Sequence, residues 1–179
     1  MLLSSDSDII AQCLAGQKDK YRILVEKVSD SLIRTAYYYL GNWEDARDAA
    51  QDALISGFNH LHSFKPDRPF FPWIHRILVN TCKDRLRSAG HRKRSPLPEE
   101  IPDGNKDDIL ENLADRELIE IALAKLSFSR RRILVLVDLE GFSSQTAAEI
   151  LKCSPSTVRV TLMKAREQFR KFIMESISH

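Results

Sequence analysis

The fold is decided between Ser143 and Arg166, where the chain reads SSQTAAEILKCSPSTVRVTLMKAR. Ala147, Ala148, Ile150 and Leu151 fall on one side of a short helix. Lys152–Ser154 makes a turn. Ser154 is placed to cap the next helix, and Pro155 fits its first turn. In that second helix Val158, Leu162, Ala165 and Phe169 follow one another at +4, +3 and +4, a single apolar stripe. Two helices joined in this way form a helix-turn-helix, whose second helix suits the major groove of DNA. Thr157, Arg159, Val160, Thr161 and Lys164 lie off the stripe. Arg159 and Lys164 can reach guanine edges or phosphates, and Val160 and Thr161 can touch a thymine methyl.

Working outward, the rest of the chain is helical too. Two more helices precede the motif, at about Ile109–Leu126 and Ser129–Glu140, and its second helix runs on to about Ile173. Upstream, Ser95–Asn105 (SPLPEEIPDGN) holds three prolines and a glycine, and it predicts a linker. Before the linker, Ser7–Leu14 opens a short helix. Tyr21, Leu24, Val25, Val28, Leu32, Ala36 and Tyr39 form the stripe of a long one that ends near Gly41. A third helix runs from about Trp43 to Leu61, with Glu44 and Asp45 favouring its N-terminus. Lys65–Pro72 (KPDRPFFP) has three prolines in eight residues and forms a loop or the start of a fourth helix, which ends near Ser88. No convincing strand pattern appears. The expected fold is all-α: two small helical domains joined by an acidic, proline-containing linker.

Charge is segregated along this framework. Arg68–Arg94 carries a net +7, Glu99–Glu120 a net −7 and Lys152–Lys171 a net +5, although the whole 179-residue chain stands at only +2. Two basic blocks around an acidic one suggest two polyanion-binding surfaces. In the first block Phe70, Phe71 and Trp73 sit beside Arg76, Lys83, Arg85 and Arg87. Aromatic rings interleaved with cations are what unstacked bases and phosphates need. Asn80 adds an amide able to read a base edge. The plainer alternatives are core packing for Trp73 and a solvated helix face for Asn80.

Several functions are disfavoured. With 6 glycines, the chain has few means to build phosphate loops or dense β-turns. The longest apolar run, Ile133–Val137, is far short of the roughly 20 residues of a membrane span. Asp6 and Asp8 are unlike a secretory leader. Cys13, Cys82 and Cys153 are widely separated and predict reduced thiols in the cytosol, with no disulfide framework or zinc site. His60 and His62 lack a third ligand at a matching spacing, and no nucleophile motif is present. No catalytic residue, metal or cofactor is expected, and the chain is not expected to be an enzyme.

The order of three stretches resembles one known family. EDARDAAQDAL (Glu44–Leu54) comes first and PWIHRILVNTCKDRLR (Pro72–Arg87) second. The third is LSFSRRRILVLVDLEGFSSQTAAEILKCSPSTVRVTLMKAREQFRKF (Leu126–Phe172). In this order and spacing the chain resembles a bacterial RNA polymerase sigma factor of the extracytoplasmic-function (ECF) group, over nearly its whole length. It departs from the family pattern at Arg47, Ala53, Leu54 and Leu78. Lys152 stands where glycine often ends the first helix of the motif, and Val160 and Thr161 where Ser-Arg is frequent.

The resemblance implies a division of labour. Residues 1–92 would bind core polymerase, recognise the −10 element and melt it. Residues 93–112 would be the linker, lying in the template and RNA channels. Residues 113–179 would read the −35 element. Asp45, Asp48, Gln51 and Asp52 would meet the polymerase, through its β′ and β subunits. Phe70, Trp73, Arg76, Asn80, Lys83 and Arg87 would handle −10 DNA. Ser156, Thr157, Arg159, Val160, Thr161, Lys164 and Arg166 would handle −35 DNA. About 20 extended linker residues reach roughly 65 Å, comparable with two turns of DNA. The implied partners are core RNA polymerase, promoter DNA and an anti-sigma factor, in the cytoplasm and without membrane insertion. The competing reading is a helix-turn-helix regulator that is not a polymerase subunit, which leaves the Trp73–Arg87 block without a task.

Overall fold

The computed structural model describes residues 5–65, 67–89 and 109–177. The Ser95–Asn105 linker lies outside them. Among the described residues there is no strand, and the architecture is all-α. Four helices come from the N-terminal half: α1 (Asp6–Leu14), α2 (Tyr21–Leu40), α3 (Trp43–Asn59) and α4 (Phe70–Ala89). Four come from the C-terminal half: α5 (Ile109–Lys125), α6 (Phe128–Leu134), α7 (Ser144–Leu151) and α8 (Pro155–Ile177).

Local chemistry sets the ends of these helices. Ser5 and Asp8 exchange side-chain and backbone hydrogen bonds in a capping box at the start of α1. Helix α2 stops at Gly41, whose φ of +83° is the left-handed conformation glycine takes without penalty. Asn42 then accepts the Asp45 N–H at 2.7 Å and caps α3.

In the N-terminal half α2, α3 and α4 pack together. The buried side of α3 consists of small residues: Ala46, Ala49, Ala50, Ala53 and Gly57. They allow α4 to come very close. A Cβ at Gly57 would lie 2.7 Å from Ile74 Cδ1 and 2.9 Å from the Tyr21 hydroxyl, which itself donates to the Leu54 carbonyl. Gly57→Ala should therefore destabilise the protein by about 1–3 kcal/mol through overpacking, although alanine is the better helix former by about 1 kcal/mol. Urea unfolding measures this; a stabilised variant would mean that the α3–α4 contact is loose.

The C-terminal half departs from the sequence expectation at one place. The helix expected over Ser129–Glu140 is α6 followed by a π-helical turn, Val135–Leu139. There the Glu140 N–H donates to the Val135 carbonyl at 2.9 Å, five residues back. Ile133, Leu134, Val135 and Leu136 are consecutive and all buried, so this segment is covered on every side. Helix α6 packs on both α8 and α2.

The two halves are thus not merely tethered. Their buried apolar side chains form one contiguous cluster. Polar bonds cross the same seam. The Tyr37 hydroxyl donates to Glu120 at 2.6 Å, and the Arg131 guanidinium donates to the Tyr39 carbonyl at 2.8 Å.

Candidate nucleic-acid interface

The site residues expected from the sequence lie on α8, α4 and α3, most of them in an exposed row, with Phe70 buried beneath α4's loop. Helix α8 buries Val158, Leu162 and Ala165, and Phe169 is half-buried. The opposite side presents Ser156, Thr157, Arg159, Val160 and Lys164 to solvent, with Thr161 at its edge. Ser154 accepts the Thr157 N–H at 3.1 Å, and its hydroxyl lies 2.8 Å from those of Ser156 and Thr157. The N-terminus of α8 is therefore held by a cluster of hydroxyls. Arg166 is engaged elsewhere. It makes a bidentate pair with Asp138, at 3.0 and 2.6 Å, and this pairing keeps its guanidinium firmly cationic.

The turn between α7 and α8 carries strain. Lys152 has φ +53°, and among the described residues it is the one non-glycine with a positive φ. A left-handed L-residue costs roughly 1–2 kcal/mol, and glycine returns part of that through its freer unfolded chain. Lys152→Gly should raise stability by up to about 1 kcal/mol, a few degrees in Tm. Thermal unfolding tests it, and a lowered Tm would show that the Lys152 side chain makes up the difference.

Helix α4 has two faces. Phe70, Ile74, Leu78 and Cys82 are buried at four-residue spacing. Arg76, Asn80, Lys83 and Arg87 recur at +4, +3 and +4 along the other side; the last three are exposed and Arg76 is half-buried. Arg87 lies 3.8 Å from Asp84. Phe70 is only 1% exposed and packs against Phe64, Trp73 and Tyr21. It supports the loop from beneath. Trp73 is half-buried over the same cluster, with its ring 5.4 Å from that of Phe64.

Helix α3 exposes Asp45, Asp48, Gln51 and Asp52. Its acids do not stand alone. Arg85 of α4 bonds to Asp52 at 2.5 Å and lies 3.8 Å from Asp48 and 3.9 Å from Asp45. The bond to Asp52 and the nearby charges raise the Arg85 pKa against the opposing effect of burial. Arg85, which its neighbours in sequence group with the polyanion surface, sits among carboxylates. The residue separation of 33 gives no periodic sign of this pairing. Ile55, 53% exposed, follows the acids one turn on. A lone isoleucine in an amphipathic helix reads as core, so its exposure has no sign in the sequence.

Residues 24–92 match the family model Sigma-70 region 2, and residues 116–169 match Sigma-70, region 4. The ECF RNA polymerase sigma factor SigM of Mycobacterium tuberculosis is 31% identical over 169 residues, which cover 94% of this chain and 85% of SigM. This chain belongs to the ECF sigma factors. SigW of Bacillus subtilis, another member, is 28% identical over 90% of this chain and 93% of its own. The fold agrees. RpoE of Bartonella quintana, solved with the anti-sigma factor NepR, superposes with a TM-score of 0.71 at 22% identity, over 86% of this sigma factor and 96% of RpoE. Sigma factors are the initiation subunits that bring core RNA polymerase to promoter DNA. Among the described residues of this one, no helix is long and apolar enough to cross a membrane.

Proposed function

We propose that this sigma factor divides its work among the three exposed rows. Asp45, Asp48, Gln51 and Asp52 on α3, with Ile55 beside them, meet core polymerase through its β′ and β subunits. On α4, Arg76, Asn80, Lys83 and Arg87 hold the −10 strand. Trp73 stacks near it, and Phe70 carries the loop from the core. Ser156, Thr157, Arg159, Val160, Thr161 and Lys164 on α8 read the −35 duplex, while Arg166 orients the helix through Asp138. In this reading residues 1–92 and 113–179 are the two working domains, residues 93–112 the linker, and the protein acts in the cytoplasm by recognition, without chemistry of its own.

The observation that carries this reading is the two-sided character of α4 and α8: each buries one apolar stripe and turns a cationic or amide-bearing row outward. A stand-alone regulator needs only the α8 row. Because RpoE of Bartonella quintana was solved with an anti-sigma factor, a protein of that kind is a proposed partner here as well. Run-off transcription with core polymerase on a genomic promoter library is the test. Initiation at a shared −35/−10 pattern is expected; DNA binding without any polymerase-dependent transcript would favour the regulator.

A further inference from the structure

Arg85 does not belong to the outward row of α4. At about 100° per residue it is turned roughly 200° from Lys83, and it falls in line with Leu78 and Ile74, two and three turns before it. Those two residues are fully buried, on the side of α4 that meets α3. Ile74 comes against Gly57 in the last turn of α3, and Arg85 against Asp52, Asp48 and Asp45 nearer its start, so the two helices run antiparallel. The alanines on the buried side of α3 bring the backbones close enough for one side chain to span the gap.

The acids stand at the edge of that contact face. Asp45, Asp48 and Asp52 each directly precede a buried alanine. Their +3 and +4 spacing puts them on successive turns, where like charges repel one another. Left alone, the three side chains would spread into solvent. Arg85 gathers them. One guanidinium nitrogen bonds to Asp52 at 2.5 Å, and the other lies 3.8 Å from Asp48 and 3.9 Å from Asp45. The Asn42 amide steadies Asp45 from a second side, donating to it at 2.6 Å. The Arg85 side chain is 30% exposed, whereas those of Asp45, Asp48 and Asp52 are 57%, 60% and 54% exposed. The cation therefore lies beneath the acids and leaves their outer oxygens open to a partner. A lysine would do this less well. The guanidinium carries its donors in a fixed planar fork, while an ammonium is a point charge on a flexible stem.

We propose that Arg85 is a positioning residue for polymerase binding: from beneath, it fixes Asp45, Asp48 and Asp52 as one preformed acidic edge, which core polymerase meets without having to order it. This rests on the reading above in which the α3 acids face core polymerase. Side chains whose rotamers are fixed before association bind more tightly. The sign of the effect is distinctive. A partner surface that attracts acids is cationic, so charge alone predicts that removing the Arg85 cation tightens binding. Positioning predicts the opposite.

The test measures the affinity of the full chain for core polymerase in the absence of DNA, so that no nucleic-acid contact enters. Arg85→Gln should weaken binding about tenfold, and Arg85→Lys about threefold, since lysine keeps the charge but not the fork. In a chain that already carries Asp52→Asn, Arg85→Gln should change the affinity by less than about twofold further, because the bond through which Arg85 acts is gone. Helical circular dichroism and Tm report any loss of α3–α4 packing, a role that would weaken binding equally with and without Asp52→Asn. Tighter or unchanged binding by Arg85→Gln, wild-type binding by Arg85→Lys, or an effect that persists in full beside Asp52→Asn overturns the assignment. If Arg85→Gln does not fold, Arg85→Lys and its cycle with Asp52→Asn decide. Asp48→Asn with Asp52→Asn, read in the same assay, separates the two inferences. Normal binding there removes the acids from the interface and the role of Arg85 with them. Weakened binding there, beside unchanged binding by Arg85→Gln, overturns positioning alone.

Discussion

On a promoter whose −10 region is already unpaired, Asn80→Ala should recover much of its lost transcription while Lys164→Ala stays impaired. Asn80 stands exposed in the outward row of α4, about two turns on from Trp73, which faces unstacked bases in this reading. Its loss should act on strand opening, and a bubble template has met the few kcal/mol of unpairing in advance. Lys164 stands on a helix whose inner face is fixed by Val158, Leu162 and Ala165. If it contacts a guanine, Lys164→Ala costs about 1–3 kcal/mol at that base pair, a loss the bubble leaves untouched. If it touches only phosphate, the loss is uniform across sequences and the salt slope falls by about one contact. Run-off transcription and permanganate footprinting on paired and bubble templates measure the difference. Equal rescue of both variants, or of neither, would show that α4 and α8 do not divide the work in this way.

Removing the charges of Asp48 and Asp52 together should weaken polymerase binding at least tenfold. Neutral replacement by Asn is the right change. Charge reversal would set a cation against Arg85, which already bonds to Asp52 and lies 3.8 Å from Asp48. Damage to the α3–α4 contact would then be mistaken for loss of the partner. Truncating a desolvated charge in an interface costs about 2–5 kcal/mol, whereas an exposed pair at the rim is worth about 0–1. Affinity for core polymerase at moderate salt, with circular dichroism as the control for folding, decides between them. Unchanged affinity with intact helicity would remove α3 from the polymerase interface.

Helices were legible from the sequence because their periodicity is local. The Tyr21–Tyr39 stripe, the glycine stop at position 41 and the Ser154–Pro155 start of α8 each appear at the expected place. What was not legible joins residues far apart in the chain. The apolar run Ile133–Val137 predicts a buried helix, but not that it is sandwiched between the halves and relaxes into a π turn. The exposed rows on α4 and α8 follow from their buried stripes. The pairing of Arg85 with three acids and of Arg166 with Asp138 does not, since a cation on an exposed face looks the same whether its partner is DNA or a carboxylate across the domain. Phe70 shows the same limit: an aromatic beside prolines is consistent with a base platform, and only packing reveals that it lies under the loop.

The distribution of thiols has a practical consequence. Cys13 and Cys82 are buried, and burial pushes the Cys82 thiol up to about 12, so at neutral pH almost none of it is the reactive thiolate. Cys153 is half-buried in the turn that joins α7 to α8. A maleimide dye added to the native protein should therefore attach at that turn first, with no engineered cysteine. A single fluorophore would then stand beside the DNA-reading helix, where its emission reports arrival at a promoter in real time.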